Sequence, residues 1–137
     1  MRLRVVTVPY RYDEWKDGPG AGPDAILAAG LADRLQAAGV TVEPPREVDL
    51  GAENREKGRT AVNIGRIGAH TAALVAEGRR QGDPVLVLAG DDTAAIGILS
   101  GIEQADGPAV RVGIVWVDAH GDFNTPETSY SGILAGM

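Results

Sequence analysis

The sequence predicts an α/β protein: a three-layer α-β-α arrangement around a parallel sheet. Short Val-rich runs without helical period, LRVVTV, PVLVLAG and RVGIVWVDA, are separated by longer stretches with one. Continuous apolar runs of that length suit strands covered on both faces, and the alternating order of strands and helices is that of βαβ units with helices on either side. At 137 residues the chain is near the usual size of one domain. Residues 1–137 are therefore expected to form a single α/β domain.

Leu3 to Val8 makes the first buried strand, closed by Pro9, and YRYDEWKDGPGAG reads as a loop rich in charges and turn residues. Pro23 and Asp24 then open a helix in which Leu27, Leu31 and Leu35 recur every fourth residue, and Gly39 ends it. Val40 to Val42 supplies a second strand before Pro44-Pro45, and REVDLGAENREKGR reads as surface loop. From Thr60 to Gln81, Ile64, Ile67, Thr71, Leu74 and Val75 fall on one helical stripe while Arg66, His70 and Glu77 fall on another face. His70 is thus expected at the surface of its helix. Gly82-Asp83-Pro84 ends that helix; PVLVLAG is a strand, DDTAAIGILSGI a loop entering a buried helix, and Val112 to Val117 a further buried strand. Trp15 and Trp116 read as packing residues, because large aromatics are usually buried for their area.

The bulk numbers narrow the partners. A net charge of −6 opposes a nucleic-acid or anionic-membrane surface, which needs positive charge. Without cysteine there is neither a disulfide framework nor a thiolate metal site. The apolar stretch in MRLRVVTVPY is too short for a signal segment and no run approaches 18 apolar residues; a cytoplasmic location is the expectation.

Chemistry gathers after two strands. In open parallel sheets ligands bind beyond the carboxyl ends of the strands, and there stand LAGDD and DAHGD, with Asp91, Asp92, Asp118, His120 and Asp122. Residues 118, 120 and 122 alternate along an extended segment, which puts their side chains on one side, with Gly121 letting the backbone curl. Carboxylate oxygen and imidazole nitrogen suit a hard to borderline divalent ion such as manganese. The competing reading is an Asp-rich turn capping a strand, and Asp91 and Asp92 can equally face the N-terminus of the helix beginning near Thr93. A magnesium-phosphoryl site in another α/β family is a weaker reading, since no Gly-rich phosphate loop with a Lys follows the first strand.

VWVDAHGDFNTPETSYSG resembles the DAHxDxNTPxTxxSG segment of the arginase and agmatinase family, the ureohydrolases. LVLAGDDTAAIGILSG is similar to that family's LGGDHSxAIGxxSG segment, and GPDAILAAGL resembles its N-terminal loop and helix. The resemblance, to the N-terminal part of such a protein, implies an arginase-like α-β-α fold and two Mn2+ ions. The implied reaction is hydrolysis of a C–N bond in a linear guanidino or amidino compound, as by an arginase, agmatinase or formiminoglutamase. It also implies that Asp92, Asp118, His120 and Asp122 are metal ligands, that His120 and Asp122 serve catalysis, and that Asn124, Ser129 and Ser131 contact the substrate. The alternative for these last three is turn chemistry, which Asn-Thr-Pro and Ser-Gly favour.

The sequence departs from that pattern in three places. Asp92 stands where the family has a histidine, and GILAG, with Ile133 and Ala135, stands where it has GNLHG. The family's third motif, SxDxDxxDP, with two further metal-binding aspartates, does not occur. A non-catalytic arginase-like binding or scaffold protein is therefore the alternative reading. Because the resemblance places later strands between those carrying AGDD and DAHGD, the two loops are expected not to meet here. The exposed strand edges are expected to favour a homo-oligomer or other association.

Overall fold

The first Val-rich run becomes the middle of a parallel sheet. In the computed structural model, which describes residues 1–137, β1 spans Arg2–Val8, and Val5, Val6, Thr7 and Val8 are each 2% exposed. Both of its faces are covered, as the unbroken apolar pattern requires. The stretch after Pro9, expected as loop, forms a tight antiparallel hairpin of β2 (Tyr10–Arg11) and β3 (Glu14–Trp15). Its two central residues, Tyr12 and Asp13, have φ of 45° and 64°, the left-handed pair that a two-residue hairpin matching the strand twist demands.

The expected helix over residues 23–39 is two helices, α1 (Gly22–Ala28) and α2 (Leu31–Ala37). Gly30 separates them at φ 85°, a conformation that carries no Cβ penalty in glycine and so ends a helix cheaply. β4 (Thr41–Val42) then runs parallel to β1 beside Arg2 and Leu3. Residues 46 and 47, expected in a surface loop, form the short strand β5 (Arg46–Glu47) beside Val6 and Thr7. Thr41, Glu43 and Val48 donate their N–H groups to the carbonyls of Met1, Leu3 and Thr7, so β4 and β5 occupy one edge of β1. Pro44 and Pro45, lacking the donor, interrupt it.

α3 (Thr60–Arg80) buries Ile64, Ile67, Thr71 and Val75 on the expected stripe, with Leu74 half-buried. His70 lies exposed, its Nδ1 2.7 Å from the Asp49 carbonyl oxygen. β6 (Val85–Ala89) pairs with the other edge of β1, Arg4 to Val8, and α4 (Ala94–Asp106) follows. The crossovers β1 to β4 and β5 to β6 run in opposite directions. With right-handed connections, α1 and α2 cover one face and α3 the other, which gives three layers. Val6, Val8, Tyr10, Val48, Leu50, Ile64, Ile67 and Ala94 make the core beneath α3. Trp15 packs against it with the Arg55 guanidinium 4.0 Å above its ring, as expected of a packing residue.

Residues 112–117 do not form the buried strand expected of them. They make no backbone hydrogen bond, Val115 and Val117 are 92% and 93% exposed, and Trp116 is half-exposed rather than packed. A strand is stabilised by a neighbour, and no strand of this chain pairs with the segment; it lies instead along the apolar side of α4, near Ile98, Leu99 and Ile102. β6 likewise pairs only with β1, so its outer edge is bare. No helix is long and apolar enough to cross a membrane.

α4 approaches α3 through small residues. A Cβ built on Gly101 would fall 2.6 Å from the Ala72 carbonyl oxygen and 2.7 Å from Val75 Cβ. Alanine gains about 1 kcal/mol over glycine in helix propensity, but backbone at that distance must move, and overpacking costs about 1–3 kcal/mol. Gly101→Ala is therefore expected to lower the thermal midpoint; an unchanged or raised midpoint by circular dichroism overturns this packing.

The amino end of β1 is tied to the turn before β6. Asp83 accepts from Arg2 Nε at 2.9 Å and Arg4 Nε at 2.8 Å, and these two hydrogen bonds hold its carboxyl below the usual carboxylate range. A carboxyl lowered on folding contributes stability above its unfolded value, about pH 4, and loses it as pH falls through the lower folded value. Asp83→Asn should melt below the parent at pH 7, with the gap closing under acid titration below about pH 4. A gap that stays constant with pH rules out this linkage.

Candidate metal centre

The site is built where β1 and β6 end. Gly90 passes so close to the hairpin that a Cβ there would lie 2.4 Å from the Tyr10 carbonyl oxygen. This contact sets Asp91 and Asp92 beside β2. Asp91 is occupied in a local turn before α4, accepting from the Thr93 N–H at 3.1 Å and from the Thr93 hydroxyl. Asp92 has no such duty: its Oδ1 is buried without a hydrogen-bond partner. A buried carboxylate oxygen left unpaired is costly.

The second loop comes to meet it. One carboxylate oxygen each from Asp92, Asp118 and Asp122 lies within 4.8 Å of the others. The expectation that the loops stay apart without intervening strands is thus overturned. The segment after residue 117 reaches back over the end of α4 without a sheet to carry it. Asp122 takes φ 48°, which curls the chain and aims its carboxylate inward beside Asp118.

His120 is not brought into this group. The alternation expected for residues 118, 120 and 122 fails because the segment is curled rather than extended. The His120 backbone N–H donates to Asp118 Oδ1 at 2.8 Å, its Nδ1 lies 3.0 Å from the same oxygen, and the imidazole is 82% exposed. The His120 N–H hydrogen bond, first among its causes, holds Asp118 below the usual carboxylate range. Asp92 is pushed up, by burial first and then by the charges of Asp122, Asp91 and Asp118.

These carboxylates border an open cavity of about 920 Å³. His120, Asn124 and Ser131 line it, as expected of residues near a site, whereas Ser129 does not; its Oγ accepts from the Gly132 N–H at 3.0 Å in a local turn. Ile133 and Ala135 also line it. Arg11 lines it too and was not singled out by the sequence. The signal was topological: Arg11 follows the carboxyl end of the central strand, where parallel sheets bind ligands.

Opposite oxygens on one ion, with bonds of about 2.0–2.6 Å, stand about 4–5 Å apart. Three converging carboxylates, each with an oxygen within 4.8 Å of the others and one with an unpartnered buried oxygen, therefore fit a hard divalent cation. Asp92, Asp118 and Asp122 are the residues that can hold it.

The Arginase family model matches residues 1–137. The chain belongs to the arginase family. Family members similar to it include the Bacillus caldovelox arginase, 33% identical over 98% of this chain and 46% of its own length. Rat arginase-1 is 32% identical over 98% of this chain and 42% of its own length. The fold agrees: a Bacillus subtilis arginase structure, 32% identical, superimposes with a TM-score of 0.82 over the whole chain and 46% of its own. An Entamoeba histolytica arginase in complex with L-ornithine, 27% identical, does so with 0.82 over 99% of this chain and 47% of its own. The chain thus has an arginase-like α/β fold with a parallel sheet and spans less than half the length of these relatives.

A divalent cation bound here and present at a hundredfold excess over its Kd should stabilise the protein by about 2.7 kcal/mol. Asp92→Ala and Asp122→Ala should abolish that shift while Asp91→Ala, which loses only its hydrogen bonds to Thr93, keeps it. Equal metal-dependent shifts in differential scanning fluorimetry for all three variants overturn the assignment.

Proposed function

We propose that this chain forms part of a metal-dependent ureohydrolase, with Mn2+ as cofactor and a small linear guanidino or amidino compound as substrate. The observation that carries the reading is the convergence of the Asp92, Asp118 and Asp122 carboxylates, with a buried, unpartnered oxygen on Asp92, in a chain of this family. Divalent ions, when bound, make a water more acidic and offset the negative charge that develops in the transition state.

The chain's own groups divide the remaining work. Asp92, Asp118 and Asp122 hold the cation, and the His120 N–H keeps Asp118 ionised and fixed in direction. His120, its Nδ1 spent on Asp118, offers Nε2 as a ligand or a proton carrier at the cavity rim. Asp122 provides a second oxygen able to receive a proton. Asn124 and Ser131 present amide and hydroxyl groups to the end of the substrate remote from the reacting carbon. The complex of the related Entamoeba histolytica arginase with L-ornithine supports a guanidino amino acid as the substrate class.

Ile133 and Ala135 support the second reading, a binding or scaffold protein. Neither can carry a proton or hydrogen-bond a substrate from its side chain, although both border the cavity. The protein expressed from its complete gene and loaded with manganese is expected to release urea from a guanidino compound, with Asp122→Asn lowering kcat about a hundredfold or more. Stoichiometric manganese binding without release of urea or ammonia from any guanidino acid or amine would favour the scaffold.

A further inference from the structure

Among the residues bordering the cavity, Arg11 supplies the one Lys or Arg side chain, against Asp91, Asp92, Asp118 and Asp122. None of those four carboxylates lies within 4.0 Å of its guanidinium. Its one ion pair is with Glu14, at 3.7 Å, and its side chain makes no hydrogen bond. A guanidinium can donate five hydrogen bonds in a fixed fork that matches a carboxylate. Arg11 therefore stands at the site with those donors unspent. It forms no ion pair with the aspartates.

Its mounting is rigid. Arg11 is the last residue of β2, paired with Glu14 across a two-residue turn. The turn residue Asp13 accepts from Tyr10 Oη, Thr60 Oγ1 and Asn63 Nδ2 at 2.8 Å each, and from the Gly58 N–H at 3.0 Å. Asn63 is 1% exposed, so this network clamps the hairpin to the amino end of α3. The Gly90 contact fixes the other side of the hairpin against the loop that carries Asp92. A cation held in this way keeps a set position relative to the metal-binding carboxylates, the preorganisation that selective recognition of a small molecule needs.

We propose that Arg11 is a specificity-determining residue that anchors the substrate's carboxylate, selecting a guanidino acid over the corresponding guanidino amine; this rests on the ureohydrolase reading of the same cavity. The cationic guanidino end goes to the carboxylate-lined side, and the anionic end to the one basic side chain opposite in sign. Charge complementarity orients the molecule without involving any group that performs the chemistry.

The test compares parent, Arg11→Met and Arg11→Lys in the manganese-loaded protein from the complete gene, with L-arginine and agmatine as the acid and amine. A hydrogen-bonded charge pair accounts for about ten- to a hundredfold in affinity. The ratio of kcat/KM for acid over amine should fall by at least tenfold in Arg11→Met, through KM, with Arg11→Lys in between. In parallel, calorimetry with L-ornithine and 1,4-diaminobutane, neither of which can be hydrolysed, should show the same loss of discrimination. An unchanged ratio in either measurement, or equal losses on both members of a pair, overturns the role of Arg11. If no guanidino compound is hydrolysed but ornithine binding depends on Arg11, the anchor stands and the ureohydrolase reading falls.

Discussion

Three carboxylates within 4.8 Å of one another, one with a buried and unpartnered oxygen, are the constraint around which the rest of the molecule is arranged. Like charges at that spacing repel, and the interior offers Asp92 Oδ1 no hydrogen bond in return. The response of the isolated protein is visible in Asp92, whose carboxyl is pushed toward its protonated form by burial and by its neighbours' charges. A divalent cation removes the repulsion and satisfies the oxygen at once. Groups placed at such cost in stability are more economically explained by a ligand than by a turn.

The cluster is supported by ordinary packing. β1, buried on both faces, fixes where the hairpin begins, and Gly90 allows the β6 loop to run against that hairpin. α4, which begins just after the Asp91–Thr93 turn, is drawn onto α3 by glycines that let the two backbones touch. Each contact narrows the freedom of Asp92 without touching the cavity. Asp91 spends its carboxylate on Thr93 while Asp92 Oδ1 stays unpaired, so the adjacent pair divides the local turn from the cluster.

The other half of the site is held far less firmly. Asp118 and Asp122 follow a segment with no backbone hydrogen bonds and two valines almost wholly in solvent, beside a sheet whose β6 edge is unpaired. The chain spans less than half the length of the relatives it matches. Bare backbone edges of this kind are completed by further strands or by association. The placement of Asp118 and Asp122 is therefore less fixed than that of Asp92, because side-chain geometry is only as fixed as the backbone that carries it.

Much of this was legible in the residues alone. The apolar runs announced the buried strand β1 and the strand β6, the stripe from Ile64 to Val75 gave α3 its buried face, and the two Asp-rich motifs gave the family and the candidate carboxylates, though not their meeting. These are local signals: period, chain order and motif spacing survive without knowledge of contacts. Tertiary structure alone decided that Asp92 Oδ1 is buried without a partner and that Asp92 meets Asp118 and Asp122. It also decided that residues 112–117 remain unpaired and that Arg11 enters the cavity. In each case the outcome depends on which groups distant in sequence arrive, or fail to arrive, within a few ångströms, and a strand without a neighbour reads the same as one that has found it.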